Sequence, residues 1–514
     1  MLDAWDLKTM SSFAKISSAA LVGLDALPVT VEADIGAGLP AFNIVGLPDK
    51  AVEESKERVR AAIRNSGLKL PNRRITVNLA PADIKKEGPA YDLAIALGVL
   101  VADEQVSDRL LQDSIILGEL ALDGSVRKIN GVLSIALSAK SWPQKKIFVP
   151  RGNAKEAALV TDVQVFAVDN LSQLVKASKG EDELTAQVSV IPEAAHNPAE
   201  FDFSDVRGQE NAKRALEIAA AGHHNILMTG PPGSGKTMLS RALAGIMPPL
   251  AVSEMLEVTQ IYSVAGQLFH EELVRLRPFR HPHHTTSSVA LVGGGSYPKP
   301  GEISLSHKGV LFLDELPEFP RSVLEALRQP LEDKVITVSR AQGAVSYPAD
   351  FILVASQNPC PCGYLGDPVK ECTCSAHQIQ KYSKRVSGPL LDRIDLHVEV
   401  PRVKFDKMTS DKKGESSAEV RERVIKARGR QRERFGQDKT NSQMTNNDIE
   451  EFCKVDEVGK DILRRAVDTL NLSGRGYVRI LKLARTIADL AGEEELSPSH
   501  LAEALQYRPK EKNY

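Results

Sequence analysis

Apolar positions along the chain follow two different periods, and the places where one gives way to the other mark its elements. Over residues 1–180, short runs at 27–33, 74–78 and 147–149 read as strands, while stretches at 49–66, 90–101 and 132–141 read as helices. A mixed α/β domain is expected there. The aperiodic polar stretch 181–203, which opens on Gly180-Glu181-Asp182-Glu183 and carries Pro192 and Pro198, predicts a linker. Strong apolar runs return at 225–228, 309–313 and 351–355, with helical patterns at 210–221 and 238–245, so a second α/β domain is expected over 204–402. Alternating β-branched residues on both sides of 340–343 predict a hairpin within it. After a polar stretch at 404–417, the remainder of 403–514 reads as helical. One helix is predicted at 418–435, others begin near Thr445, Asp456 and Arg475, and in a last one Ser497 caps and Pro498 takes the first turn.

A chain of 514 residues is long enough for about three domains. Its formal net charge of −2 excludes a global nucleic-acid signature, so any DNA or RNA binding must rest on a local basic surface. The first dozen residues include Asp3, Asp6 and Lys8 and lack the apolar core of a signal peptide, and the longest apolar run, 93–102, is too short to cross a bilayer. No membrane partner and a cytoplasmic location are expected. Four of the five cysteines crowd into one loop, which is not the spread of a disulfide framework.

The chemistry centres on Gly230-Pro231-Pro232-Gly233-Ser234-Gly235-Lys236-Thr237, followed by Met238, between a strand and a helix. Glycines there let backbone amides turn toward phosphate oxygens at a helix N-terminus; Lys236 would reach the β and γ phosphates of ATP and the Thr237 hydroxyl would ligate Mg²⁺. Farther on, the apolar strand at 309–313 ends in Asp314-Glu315. Asp314 can hold Mg²⁺ with Thr237, and Glu315 can orient and deprotonate the attacking water. A third strand runs into Asn358, which can bond the water or the γ phosphate. Arg393, in Leu390-Leu391-Asp392-Arg393-Ile394-Asp395, either completes a neighbouring subunit's site as an arginine finger or pairs with Asp392 or Asp395 on the surface.

Two stretches of the first domain, 81–90 and 118–132, resemble the proteolytic domain of Lon proteases, whose fold is of the ribosomal-S5-domain-2 type. In that family a Ser follows the Gly-Pro pair and a Lys follows the second Gly-rich turn. Here Ala90 and Leu133 stand at those positions, which leaves the serine–lysine mechanism without either half. The order of Lys236, Asp314, Asn358 and Arg393 resembles that of AAA+ ATPases. Arg277-Pro278-Phe279-Arg280-His281-Pro282-His283-His284, Leu291-Val292-Gly293-Gly294-Gly295 and Pro300-Gly301-Glu302-Ile303 look like the magnesium-chelatase type. With the Lon-like front, the whole chain resembles the YifB/ComM group. That resemblance implies a Lon-like α/β N-terminal domain, a three-layer α/β/α AAA+ core and a helical C-terminal lid. It also implies a ring, usually a hexamer, with Arg475 at the second-sensor position touching the γ phosphate and Arg479 as the alternative register.

Other features stay open at this level. Arg340 at the hairpin tip contacts a DNA phosphate or is a solvated turn residue. The arginines of 418–435 face nucleic acid or only solvent. Cys360, Cys362, Cys372 and Cys374 hold Zn²⁺ or are four free thiols, whereas His281, His283 and His284 lack a partner at metal-ligand spacing. The expectation is a ring ATPase that couples hydrolysis to movement on single-stranded or branched DNA, in recombination or DNA uptake; its rival is a motor that remodels a protein partner. If the hairpin tip touches DNA, Arg340→Ala lowers DNA-stimulated ATP turnover, and equal stimulation in mutant and parent removes that contact.

Overall fold

The computed structural model describes the chain except residues 1–11, 192, 194, 197–199, 269–271, 296–297, 341–342, 404–413, 471 and 510–514. It forms two compact units: one holds the described residues up to Glu193 together with Thr259–Val274, the other those of 194–258 and 275–514.

In the first unit a seven-stranded mixed sheet runs in the order Ala41–Val45, Arg74–Ala80, Asp25–Gly36, Ser12–Val22, Ser114–Ile116, Lys146–Pro150, Gln164–Val168. Its inner face follows the two-residue period: Val29, Val31, Ala33 and Ile35 are buried on one strand, and Ile75, Val77 and Leu79 on the next. Helix Asp92–Ala102 is apolar on nearly every side because it is buried on nearly every side. Gly98 lets it approach the sheet, since a Cβ there would lie 3.3 Å from that of Ala33. Helix Lys50–Asn65 is tied to it by the buried Asp92, which accepts hydrogen bonds from Ser55 and from Arg58 Nε at 2.6 Å. Ala90 sits in the single turn Pro89–Tyr91, and Leu133 is buried in helix Val132–Ala139.

Thr259–Val274 comes from the middle of the chain but packs in this unit. Ser263 donates its hydroxyl proton to the buried Glu156, while its carbonyl and hydroxyl oxygens accept from the Gly131 amide at 3.2 and 3.0 Å. Gln260 Nε2 donates to the Leu24 carbonyl, and Lys128 Nζ to that of Leu268, each at 2.7 Å.

The second unit is built on a five-stranded sheet ordered Phe279–Arg280, Val310–Leu313, Ile352–Gln357, Ile226–Thr229, Leu396–Glu399, with every pairing parallel. Among the described residues five α-helices follow it: Ser417–Phe435, Asn446–Phe452, Glu457–Leu470, Gly474–Ala491 and Pro498–Gln506. Thr445 and Ser473 cap two of them through their hydroxyls. Val424, Ile480, Ala484 and Ile487 share one core with Ile226, Phe312 and Val354 of the sheet. The hairpin forms from Val335–Arg340 and Gly343–Pro348, with Thr337 opposite Ser346. Its turn at 341–342 lies outside the described residues, as do the surroundings of the Arg340 side chain.

The arginine-rich helix is mostly directed inward. Arg423 pairs with Glu217 at 2.6 Å and with Glu415 at 2.8 Å, Arg421 donates to the Gly245 carbonyl, Arg428 to that of Ala220 and Arg430 to that of Asp489. Burial, with help from nearby Arg277, pushes the Arg428 pKa down to about 10. Arg434 and the buried Arg485 converge on Asp489, which is itself inaccessible to solvent and also accepts from Asn441 at 2.7 Å. Asp489→Ala leaves Arg485 buried without its counter-charge, so it should cost roughly 3–5 kcal/mol in chemical denaturation of the full chain. Arg432→Ala, which removes an exposed pair with Asp438, should cost at most about 1 kcal/mol; equal shifts in the two variants would refute the network.

Candidate active site

Strand Ile226–Thr229 leads directly into the glycine-rich loop, and helix Lys236–Ile246 leaves it with Gly235 as N-cap at φ 92°. Gly233 is also left-handed, at φ 74°, a conformation that glycine adopts at little cost. Gly230 is required for another reason, since a Cβ there would lie 2.1 Å from the Val400 carbonyl oxygen. Gln209, buried, fastens the loop by donating to the carbonyls of Ser234 at 3.1 Å and Pro401 at 2.7 Å.

Lys236 Nζ donates to the carbonyls of Gly230 at 2.8 Å and Pro231 at 2.9 Å and lies 3.4 Å from Asn358 Oδ1. Burial lowers its pKa, opposed by Asp314 and Glu315. Thr237 Oγ1 donates to Asp314 Oδ2 at 3.1 Å, so the two oxygens expected to hold Mg²⁺ stand side by side. The other Asp314 oxygen accepts from the Ser356 hydroxyl and from the Glu315 amide at 3.1 Å. Glu315 itself is left-handed at φ 54°, a strained conformation for a non-glycine residue, and its carboxylate lies 3.5 Å from His284 Nδ1. The Ser234 hydroxyl is buried in the loop with no hydrogen-bond partner among the described residues, as suits a group that can bond a phosphate oxygen. Amides at a helix N-terminus, an ammonium and a hydroxyl paired with a carboxylate fit a nucleoside triphosphate with Mg²⁺.

Lys236, Thr237, Asp314, Glu315 and Asn358 are thus brought together, whereas Arg393 and Arg475 lie elsewhere. Arg393 is buried, not on the surface; it donates to the Pro389 carbonyl and pairs with Glu332, both at 2.6 Å. Arg475 is exposed and reaches the same carboxylate at 3.7 Å. Their shared partner is held below the usual carboxylate range by the Arg393 hydrogen bond and the charges of both arginines. Arg479 pairs with Asp395 at 3.4 Å. Although burial acts to raise the Asp395 pKa, the His224 hydrogen bond and the charges of His224 and Arg479 hold it at about 2.

His281 packs against Phe312 with ring centroids 4.6 Å apart and the rings tilted by 34°, and His283 bonds Thr285. The sulfurs of Cys360, Cys362, Cys372 and Cys374 gather within 4.8 Å of one another. Reading along the chain did not single out Ser356 or Glu332, and it weighed His284 only as a metal ligand, not beside Glu315. Ser356 carried a faint signal, a small polar residue at the end of an apolar strand; the other two meet their partners only through the fold.

A sheet of this order, with the phosphate loop leaving the strand between Ile352–Gln357 and Leu396–Glu399, is that of a P-loop ATPase of the AAA+ class. Three family profiles match: "Magnesium chelatase, subunit ChlI" over residues 202–408, "Subunit ChlI of Mg-chelatase" over 31–153, and "Magnesium chelatase, subunit ChlI C-terminal" over 414–508. The chain is 45 % identical over 503 residues to Competence protein ComM of Haemophilus influenzae, covering 97 % of each chain. To YifB of Escherichia coli it is 43 % identical over 499 residues, again covering 97 % of each. The magnesium-chelatase subunit ChlI of Olisthodiscus luteus is more distant, at 25 % identity over 32 % of this chain and 52 % of that one. The chain belongs to the YifB/ComM family of magnesium-chelatase-like AAA+ ATPases. ATP and Mg²⁺ use follows from that class.

Because Ser356 orients Asp314, Ser356→Ala should raise the Mg²⁺ concentration needed for half-maximal ATP turnover by about tenfold. An unchanged Mg²⁺ requirement would mean that Asp314 is positioned without it.

Proposed function

We propose that the protein is a ring-forming ATPase that couples ATP hydrolysis to movement on single-stranded or branched DNA, in the cytoplasm. The observation that carries the ATPase half is the convergence of Lys236, Thr237, Asp314, Glu315 and Asn358 at the ends of three parallel strands. The phosphate loop from Gly230 to Met238 holds the nucleotide. Thr237 and Asp314 are the Mg²⁺ ligands, Glu315 aligns and deprotonates the attacking water, and Asn358 and Lys236 bind the γ phosphate.

Arg393 and Arg475 act on a neighbouring subunit's nucleotide in a ring, usually of six. Their meeting on one carboxylate, apart from their own phosphate loop, supports that assignment, because Glu332 stores two cations that a phosphate can take over. Residues 1–180 form a Lon-like domain without protease activity, joined by the linker 181–203 to the ATPase core 204–402, and the helices of 403–514 serve as its lid.

For the DNA half, the arginine-rich helix gives little support, since most of its cations are engaged internally. A different surface supports it. Helix Ala376–Ser383 and the turn after Glu318 line a cleft that gathers Arg321, His377, Lys381, Lys384 and Arg385, and the single carboxylate there, Glu318, is paired with Arg385 at 2.6 Å. Such a surface suits backbone phosphates. Likeness over nearly the whole chain to a protein named for competence supports placing this work in DNA uptake or recombination. The second reading, a motor that remodels a protein partner, draws on the distant chelatase subunits.

Two measurements test these assignments. Glu315→Gln should bind ATP yet lose at least about 100-fold in turnover, and Arg393→Ala should lose turnover likewise. Rings mixed from the two variants regain part of the activity, because some of their interfaces pair an intact Glu315 with an intact Arg393; no recovery would remove the shared site. Forked or four-way DNA should stimulate turnover and be unwound, less so in the Lys381→Glu, Lys384→Glu double variant. If DNA neither binds nor stimulates, the protein-remodelling reading replaces this one.

A further inference from the structure

The four-cysteine loop lies against the nucleotide site, and hydrophobic packing does not hold it there. No residue from 364 to 375 is buried, and Val369 is 73 % exposed. A segment with so little core needs another source of order. Its sulfurs supply one: Cys360 Sγ lies 3.4 Å from that of Cys362 and 3.6 Å from that of Cys372, and Cys362 and Cys372 are 3.6 Å apart. Those spacings are far longer than a disulfide bond. They are close to the edge of roughly 3.8 Å that a tetrahedron of thiolates takes around one Zn²⁺ with Zn–S bonds of about 2.3 Å. An iron–sulfur cluster, with several atoms between its thiolates, would hold them farther apart. The Cys362 amide donates to Cys374 Sγ at 3.4 Å, the kind of bond that stabilises a metal-bound thiolate.

The loop is also attached to the nucleotide site at two points. Gly363, at φ 86°, lies flat on the phosphate loop: a Cβ there would lie 2.6 Å from Pro232 Cδ and 2.8 Å from its Cγ. Its amide donates to the Cys360 carbonyl at 3.0 Å, which closes the turn at a sulfur-bearing residue. Asn358, next to Lys236 Nζ, stands two residues before Cys360. Beyond Cys374, Ser375 caps helix Ala376–Ser383.

We propose that Cys360, Cys362, Cys372 and Cys374 bind one structural Zn²⁺, and that the metal-held loop braces the phosphate loop through Gly363 on Pro232 and fixes Asn358. Metal occupancy then sets the affinity for ATP. The brace rests on the nucleotide-site reading above; the metal site does not. The full chain, purified without added zinc, should carry one zinc per polypeptide by elemental analysis and release it to a colorimetric zinc indicator when a mercurial blocks its thiols. Cys372→Ser with Cys374→Ser should lose the metal and weaken binding of a fluorescent ATP analogue by about tenfold, whereas Cys453→Ser, outside the loop, should change neither. Gly363→Ala should keep the zinc yet weaken nucleotide binding, which separates the brace from any general loss of fold.

Less than stoichiometric zinc, or stoichiometric iron, overturns the metal site. Unchanged nucleotide affinity in zinc-free protein or in Gly363→Ala overturns the brace. If the parent protein itself fails to bind the analogue, the nucleotide-site reading and the brace both fail, while the zinc count still decides the metal site.

Discussion

Parallel pairing in register is the constraint from which the candidate site follows. Leu313 lies opposite Ala355, and Thr229 opposite Gln357, so three strands end at nearly the same level. Each then releases one chemical group within a residue or a short loop: Asp314, Asn358 and the glycine-rich turn. A parallel sheet demands crossovers on its faces and so spends many residues between these strands. Groups more than 100 residues apart in sequence thereby meet within hydrogen-bond distance, as Lys236 and Asn358 do. The open end of such a sheet, beyond its strand carboxyl ends, is where this architecture places ligands.

Charge in this chain is organised by burial more than by composition. The most basic stretch left a nucleic-acid surface and a solvated face equally open, yet Arg421, Arg423, Arg428, Arg430 and Arg434 reach carbonyls and carboxylates of the elements they pack against. A long guanidinium stem can cover apolar surface while its fork satisfies exposed helix ends, which makes arginine useful as a structural fastener. Other cations, Arg321, Lys381 and Lys384, line a cleft beside the short helix after the cysteine loop.

Much of the fold could be anticipated because its signals are local. The apolar run inside Asp25–Gly36, the hairpin alternation and the cap at Ser497 each depend on neighbours a few positions away. The phosphate loop is legible for the same reason, since its glycines, Lys236 and Thr237 are contiguous. By contrast, the packing of Thr259–Val274 in the first unit had no local signal, because Ser263 becomes informative only beside Glu156 and Gly131.

The residue types and spacings alone determined the class of chemistry: a phosphate loop, an acid pair after an apolar strand, and a polar residue ending a third. They also marked four thiols as a group. Only the tertiary structure decided which groups share a site. It put Ser356 behind Asp314, seated the cysteine loop on Pro232, and drew Arg393 and Arg475 together on one carboxylate, Glu332. The physical reason is that strength of interaction depends on distance and burial, and neither is a property of position along a chain.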